Sequence, residues 1–231
     1  MRKLKKILLI EVLILLPIII SAQNANDELN AIIQRYSGMS SYSFRFKVEV
    51  SNLLDRSAKP EVSNSELKVK GNSYFFKDDD YTVVRNKNLF LIVDHDQQII
   101  VLDSSVKKSN TKLAYNPKQI LDSILVFVSS MKFENVNDET SKITLLLDFP
   151  EIEKLEIFYS FKSKEYKKLI YYYSKTTSGF RPKVDVTFLS FERNPVIDES
   201  AFSLNQFITL SKQGYKLTNK YFSYQLFNQL E

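Results

Sequence analysis

No cysteine occurs in the 231 residues. Disulfides, thiolate metal sites, a cysteine nucleophile and a lipid-modified N-terminal cysteine are therefore all excluded, and stability has to come from the packed core. Glycine is scarce, at four residues, which leaves too little for a Gly-rich loop that cradles a phosphate. A single histidine, His95, is present, so neither a multi-histidine metal site nor a second imidazole base is available. No serine sits in a Gly-x-Ser-x-Gly stretch, the nucleophile elbow of many hydrolases.

The remaining polar runs carry little chemistry. Asp94-His95-Asp96 has the residue types of a metal site or an oriented base. Neighbours in an extended chain point to opposite faces, however, and the run reads as a surface turn. Asp78-Asp79-Asp80 lacks the Asp-x-Asp-x-Asp-Gly spacing of a calcium loop and also reads as a turn. Glu151 and Glu153 have no distinguishing context. Lys162, Lys164, Lys167 and Lys168 lie near Tyr171–Tyr173, and fit either anionic lipid headgroups or a charged strand end. The expectation is a non-catalytic protein with no metal and no cofactor.

The N-terminus is the most informative stretch. Arg2, Lys3, Lys5 and Lys6 precede the apolar run Ile7–Ile20, broken only by Glu11 and Pro17, and small residues follow at Ser21-Ala22. These are the parts of a secretory signal, with cleavage expected near Ala22/Gln23. A retained membrane anchor is the alternative, but the run falls short of the roughly 20 apolar residues that span a bilayer. The full chain carries 32 basic and 27 acidic residues, a net charge of +5. Without residues 1–22 it keeps 28 basic and 26 acidic ones. That near-neutral balance gives no basic face for nucleic acid, and the expected place of work is extracytoplasmic.

Along the chain, Leu29, Ile32, Ile33 and Tyr36 recur at helical spacing over 24–36, with Gly38 as a stop. The period then drops to two: Phe44, Phe46, Val48 and Val50 alternate with polar residues, the mark of a half-buried strand. Residues 51–64 read as a polar loop. Short strands follow at about ten-residue intervals, separated by Gly71-Asn72, Asp78–Asp80, Asn86–Asn88 and Asp94–Asp96, and indicate a meander in a sandwich or open barrel. After a polar stretch at 103–116, Asn116-Pro117 opens an expected helix over 117–131, with Ile120, Leu121, Ile124, Val128 and Met131 on its apolar stripe and Leu125 and Phe127 widening it. Strands resume at Ile143–Phe149, Lys154–Tyr159, Lys167–Ser174 and Lys183–Phe191. The aromatic tail, Tyr215–Leu230, fits helix or edge strand.

This order resembles the LolA/LolB-like superfamily of periplasmic lipoprotein carriers. The resemblance rests on Ser41–Val50, on Leu67–Lys70 with Tyr74-Phe75-Phe76, on Val83-Val84 with Leu89–Asp94, on Asn116-Pro117, and on Phe188–Asn194 with Asp198–Leu204. It covers roughly residues 27–208. Arg85–Asn88 replaces the family's Ser-Asp-Gly-Lys turn, Gly71-Asn72 stands where an Arg-Pro is frequent, and the usual tryptophans are absent. The arginine latch of the characterised carriers is therefore not carried over.

The resemblance implies a mainly β (α+β) fold: a curved antiparallel sheet forming an incomplete barrel, closed by an N-terminal helix and an inner lid helix. Residues 23–231 would form one such domain, with a tail from about 209. It also implies a periplasmic protein of the Gram-negative envelope that binds a lipid or acylated lipoprotein in an apolar cavity. The expected wall is Phe44, Phe46, Val48, Leu67, Val69, Phe75, Val84, Phe90 and Ile92, and the expected lid is Ile120, Ile124, Leu125 and Val128. The alternative is the same half-barrel with a filled core, binding an envelope protein through a sheet edge or the aromatic tail.

Overall fold

The computed structural model describes residues 25–55, 57–104, 123–177 and 179–230. The expected signal at 1–22, the first part of the expected helix at 117–131, and Ile120 with it, lie outside the described residues.

Helix α1 covers residues 25–36. Its buried side chains are Ala25, Leu29, Ile32, Ile33 and Tyr36, a single stripe at helical spacing. The chain leaves it through Gly38 at φ +66, a left-handed conformation that costs glycine least. Strands β1 (Ser41–Asn52), β2 (Glu61–Lys70), β3 (Ser73–Lys77), β4 (Tyr81–Arg85), β5 (Leu89–Asp94) and β6 (Ile99–Ser104) follow. The second series is β7 (Val128–Asn135), β8 (Thr140–Leu147), β9 (Ile152–Ser160), β10 (Tyr166–Tyr173) and β11 (Pro182–Arg193). The last residues form β12 (Ile208–Ser211), β13 (Gly214–Leu217) and β14 (Gln225–Asn228). Twelve strands make one sheet in the order β14-β6-β5-β4-β3-β2-β1-β11-β10-β9-β8-β7, and β12 and β13 form a separate hairpin. The large sheet has two ends and is not closed into a barrel, and the fold is mainly β. Among the described residues, no helix is long and apolar enough to cross a membrane.

Two expectations about elements are corrected. β2 begins at Glu61, inside the stretch read as a loop. The helix expected over 117–131 does not reach its predicted end: helical residues are described only at 123–125, and Val128 opens β7. Val128 and Met131 are therefore strand residues, paired with Leu147 and Leu145. The physical reason is local. Val126-Phe127-Val128 is β-branched and aromatic, which favours a pleated surface, and Met131 and Phe133 gain apolar partners across the ladder.

The chain divides into two compact units, each taking part of β1 and of β11. One contains α1, β7–β10 and the start of β11. Its apolar sheet face is built of two cross-strand rows: Phe133–Ile143–Ile157–Leu169–Val186 and Met131–Leu145–Leu155–Tyr171–Val184. Paired residues share a face, and the middle of each row is buried. Three polar contacts tie α1 to β9, β10 and the turn between them. Tyr159 Oη and Lys164 Nζ both reach Glu28, at 2.7 and 2.6 Å. The Tyr166 backbone N–H donates to Tyr36 Oη at 2.8 Å, and the Tyr36 and Tyr166 rings stack at 4.5 Å. Burial pushes both phenols well above the ordinary tyrosine value, so they are held neutral as apolar packing groups with one polar tip each.

The other unit contains β2–β6, the end of β11 and residues 194–230. Its buried cluster joins Val84, Leu91, Val93, Ile100 and Leu102 of the sheet to Leu204, Phe207, Ile208 and Tyr221 of the tail. The tail is thus neither a free helix nor a loose arm. It folds as the β12–β13 hairpin, a 3-10 turn at Asn219–Tyr221, and β14, which runs parallel to β6.

Candidate functional site

The ladder registers sort the side chains of β2–β6 onto two faces. Gly71-Asn72 is a tight turn, so Lys70 pairs with Ser73, and Leu67 therefore with Phe76. The pairing then continues from Phe76 to Val83, Ile92 and Val101. Leu67, Phe76, Val83, Ile92 and Val101 form one apolar row on one face. A second row on that face runs Val69, Tyr74, Arg85, Phe90 and Asp103. The opposite face carries Phe75, Val84, Leu91 and Leu102 in one row, and Lys77, Thr82, Val93 and Ile100 in the next.

The two faces differ in cover. On the face turned to the tail, Val84, Leu91, Val93, Ile100 and Leu102 are each 0% exposed. On the other face Leu67, Val69 and Tyr74 are buried, whereas Phe76, Val83, Phe90, Ile92 and Val101 are only half-buried. The half-buried row is aromatic and branched, and needs no single partner of fixed shape. Such a surface accommodates a flexible apolar chain without strong specificity.

The structure therefore splits the expected wall. Leu67, Val69, Phe90 and Ile92 share the half-covered face. Phe75 and Val84 lie on the opposite one, against the tail, so a single wall containing all of them is ruled out by the two-residue period of a strand. The expectation missed Tyr74, Phe76, Val83 and Val101. Three aromatics in succession at Tyr74–Phe76 hid the alternation, but the two-residue turn at Gly71-Asn72 carried the register that resolves it.

Phe44, Phe46 and Val48 share one face of β1. Phe44 is buried, and its ring meets Phe188 at 5.4 Å and Phe191 at 4.8 Å, while Phe46 meets Phe188 at 6.2 Å. Phe46 and Val48 are half-buried. In the helical unit the same grading recurs: Leu155 and Ile157 are buried, and their neighbours Tyr171, Val184, Leu169 and Val186 half-buried. Burial pushes the Tyr171 hydroxyl up to about 12. Of the expected lid residues, Ile124 and Leu125 are helical and half-buried, Val128 belongs to β7, and Ile120 lies outside the described residues. His95 and Asp96 do lie in the β5–β6 turn, directly after Asp94 at the end of β5, but the His95 ring turns inward. It meets Thr82 Oγ1 at 2.9 Å and Tyr224 Oη at 3.2 Å.

No protein-family model matches the sequence, and no curated protein does. Solved structures do resemble the chain. One is a DUF1329 family protein from Desulfovibrio piger, 9% identical with a TM-score of 0.39, the match covering 80% of this chain and 98% of that one. Another is a LolA superfamily protein from Nitrosomonas europaea, 8% identical with a TM-score of 0.35, covering 78% and 97%. A third is MucB, 10% identical with a TM-score of 0.40, covering 85% and 66%. LolA-superfamily proteins are thus among the structures to which the chain is similar.

Proposed function

We propose that the protein is an exported, non-catalytic carrier-type protein of the Gram-negative periplasm that shields the acyl chain of a lipid or an acylated lipoprotein. The observation that carries this reading is the half-buried row Phe76, Val83, Ile92 and Val101, on the face that the tail does not cover. Each methylene taken out of water there is worth about 0.8 kcal/mol. A long acyl chain therefore gains on the order of 10 kcal/mol before the cost of ordering it. No covalent step is involved, and release needs only a better apolar surface at the destination. The N-terminal signal and the near-neutral remainder suit a protein that diffuses between two membranes.

A second reading is supported by the tail. Phe222 and Leu210 are 83% and 73% exposed, apolar groups placed to meet a partner protein. Native mass spectrometry of the protein purified from the periplasm without detergent separates the two. The carrier reading expects co-purified lipid mass and uptake of a fluorescent fatty acid after delipidation. A ligand-free protein that takes up no fatty acid contradicts it. Loss of partner capture on Phe222→Ser, with fatty-acid uptake absent, is the result expected from the interaction reading.

A further inference from the structure

At one end of the tail-covered core the packing leaves a cavity of about 320 Å³, lined by Phe75, Lys77, Thr82, His95, Gln206, Phe207, Lys220, Tyr221 and Tyr224. That volume lies within the range of small-molecule sites. The lining is two-sided in character. Phe75, Phe207 and Tyr221 supply apolar surface, while Lys77, Lys220, His95, Thr82, Tyr224 and Gln206 supply donors. No carboxylate is among the lining residues. Lys77 and Lys220 form no ion pair among the described residues. Lys220 instead stands 5.2 Å from the Tyr221 ring centroid. Two cations that face one cavity without an ion-pair partner among the described residues attract an anion there, against the nearby carboxylates of Asp78 and Asp94.

The histidine adds a second element. Its two ring nitrogens touch two hydroxyls, Thr82 Oγ1 and Tyr224 Oη. A neutral imidazole donates from one nitrogen and accepts at the other, which ties one hydroxyl proton to the ring. An imidazolium donates from both, so both hydroxyl protons become free to point elsewhere. We propose that this cavity binds a small phosphate monoester, its phosphoryl group between Lys77 and Lys220 and its organic body against Phe75, Phe207 and Tyr221, with His95 taking up a proton as the ligand arrives. A phosphate dianion matches two lysines in charge, and its three terminal oxygens can accept from the ammonium groups and the freed Thr82 and Tyr224 hydroxyls. His95 is held below the ordinary imidazole value, first by desolvation and then by Lys77 and Lys220, against the weaker upward pull of Asp78 and Asp94. A bound dianion cancels the lysines' influence and restores the proton.

The test uses the full mature protein, with binding of phenyl phosphate followed by calorimetry and the His95 ring followed by NMR. Lys77 and Lys220 are exposed, so the double variant Lys77→Ala/Lys220→Ala keeps the core. It should lower the affinity for phenyl phosphate at least about tenfold, the loss of charge-assisted hydrogen bonds. Lys87→Ala/Lys216→Ala, an equal charge change outside the cavity, should leave affinity unchanged. Phenyl phosphate should bind more tightly than inorganic phosphate, and should move the His95 titration midpoint upward. Binding of phenyl phosphate with no uptake of phosphatidic acid vesicles marks a soluble ligand. Binding of phosphatidic acid over phosphatidylcholine vesicles, lost in the Lys77/Lys220 double variant, marks a lipid headgroup with the same phosphate chemistry. Absence of binding, or an affinity the double variant leaves unchanged, overturns the site. An unmoved His95 titration overturns the proton uptake, and equal affinity for inorganic phosphate overturns the aromatic contact.

Discussion

The two faces of strands β2–β6 are made of similar residues and meet different fates. One is sealed by the tail, and five of its side chains are wholly buried. The other carries an equally apolar row that is only half covered. A sheet buries what it needs for stability on one side and is then free to spend the other on a ligand. The difference between the faces is a difference of cover, and the proposed function turns it into a difference of role. Val84 and Leu91 hold the unit together, and Val83 and Ile92, their neighbours in sequence, are the residues that the carrier proposal assigns to the acyl chain.

The comparison is broken most severely by removing the tail. A chain ending at residue 203 loses Leu204, Phe207, Ile208 and Tyr221 and so uncovers Val84, Leu91, Val93, Ile100 and Leu102, and hydrogen exchange should show loss of protection throughout β4–β6. A smaller change tests the same face. Phe207→Ala, at a side chain 2% exposed, should cost about 3–5 kcal/mol in denaturant unfolding. On the other face Ile92→Ala should cost less, about 1–2 kcal/mol, because part of its surface is already wet, yet should reduce fatty-acid uptake where Phe207→Ala, in whatever fraction remains folded, does not. Equal destabilisation by the two would erase the distinction.

The smallest effect concerns pH and the other unit, whose apolar rows include Tyr171. Its hydroxyl ordinarily titrates near 10 and is pushed up to about 12 in the folded protein. A raised folded value means that the unfolded chain loses its proton first. The contribution is fully present below pH 10 and declines as pH rises from 10 towards 12. Unfolding curves across that window should show the decline, to which the raised Tyr36 and Tyr166 also contribute, and Tyr171→Phe, which keeps the ring and removes the hydroxyl, should lessen it.

Much of this was legible before the structure. The alternation at Phe44–Val50, the punctuation of Gly71-Asn72 and Asn86–Asn88, and the stripe Leu29–Tyr36 each report a local rule, and local rules place β1, β3, β5 and α1 within a few residues. What depended on partners was harder to read. Phe75 and Phe76 are chemically alike, and only register decides that one packs on the tail and the other does not. Val128 and Met131 fit a helical stripe begun at Ile124, and the ladder with β8 overrode it. The tail's hairpin was within reach, since Ile208–Leu210 and Tyr215–Leu217 flank a turn ending at Gly214. Its parallel return beside β6 is a non-local event with no local mark. The His95 cavity was hidden for the same reason: Lys77 and Thr82, paired across β3 and β4, are far in sequence from Lys220 and Tyr224, and the two pairs meet only through the tail.

The central claim is that an acyl chain lies on one face of β2–β6 and not on the other. A fatty acid carrying a nitroxide near its methyl end broadens the methyl NMR signals of nearby side chains. With the delipidated protein, the expected result is broadening of Leu67, Val69, Val83, Ile92 and Val101, with Val84, Leu91, Val93, Ile100 and Leu102 unaffected. Broadening centred on the second set, or none on either, would contradict the account.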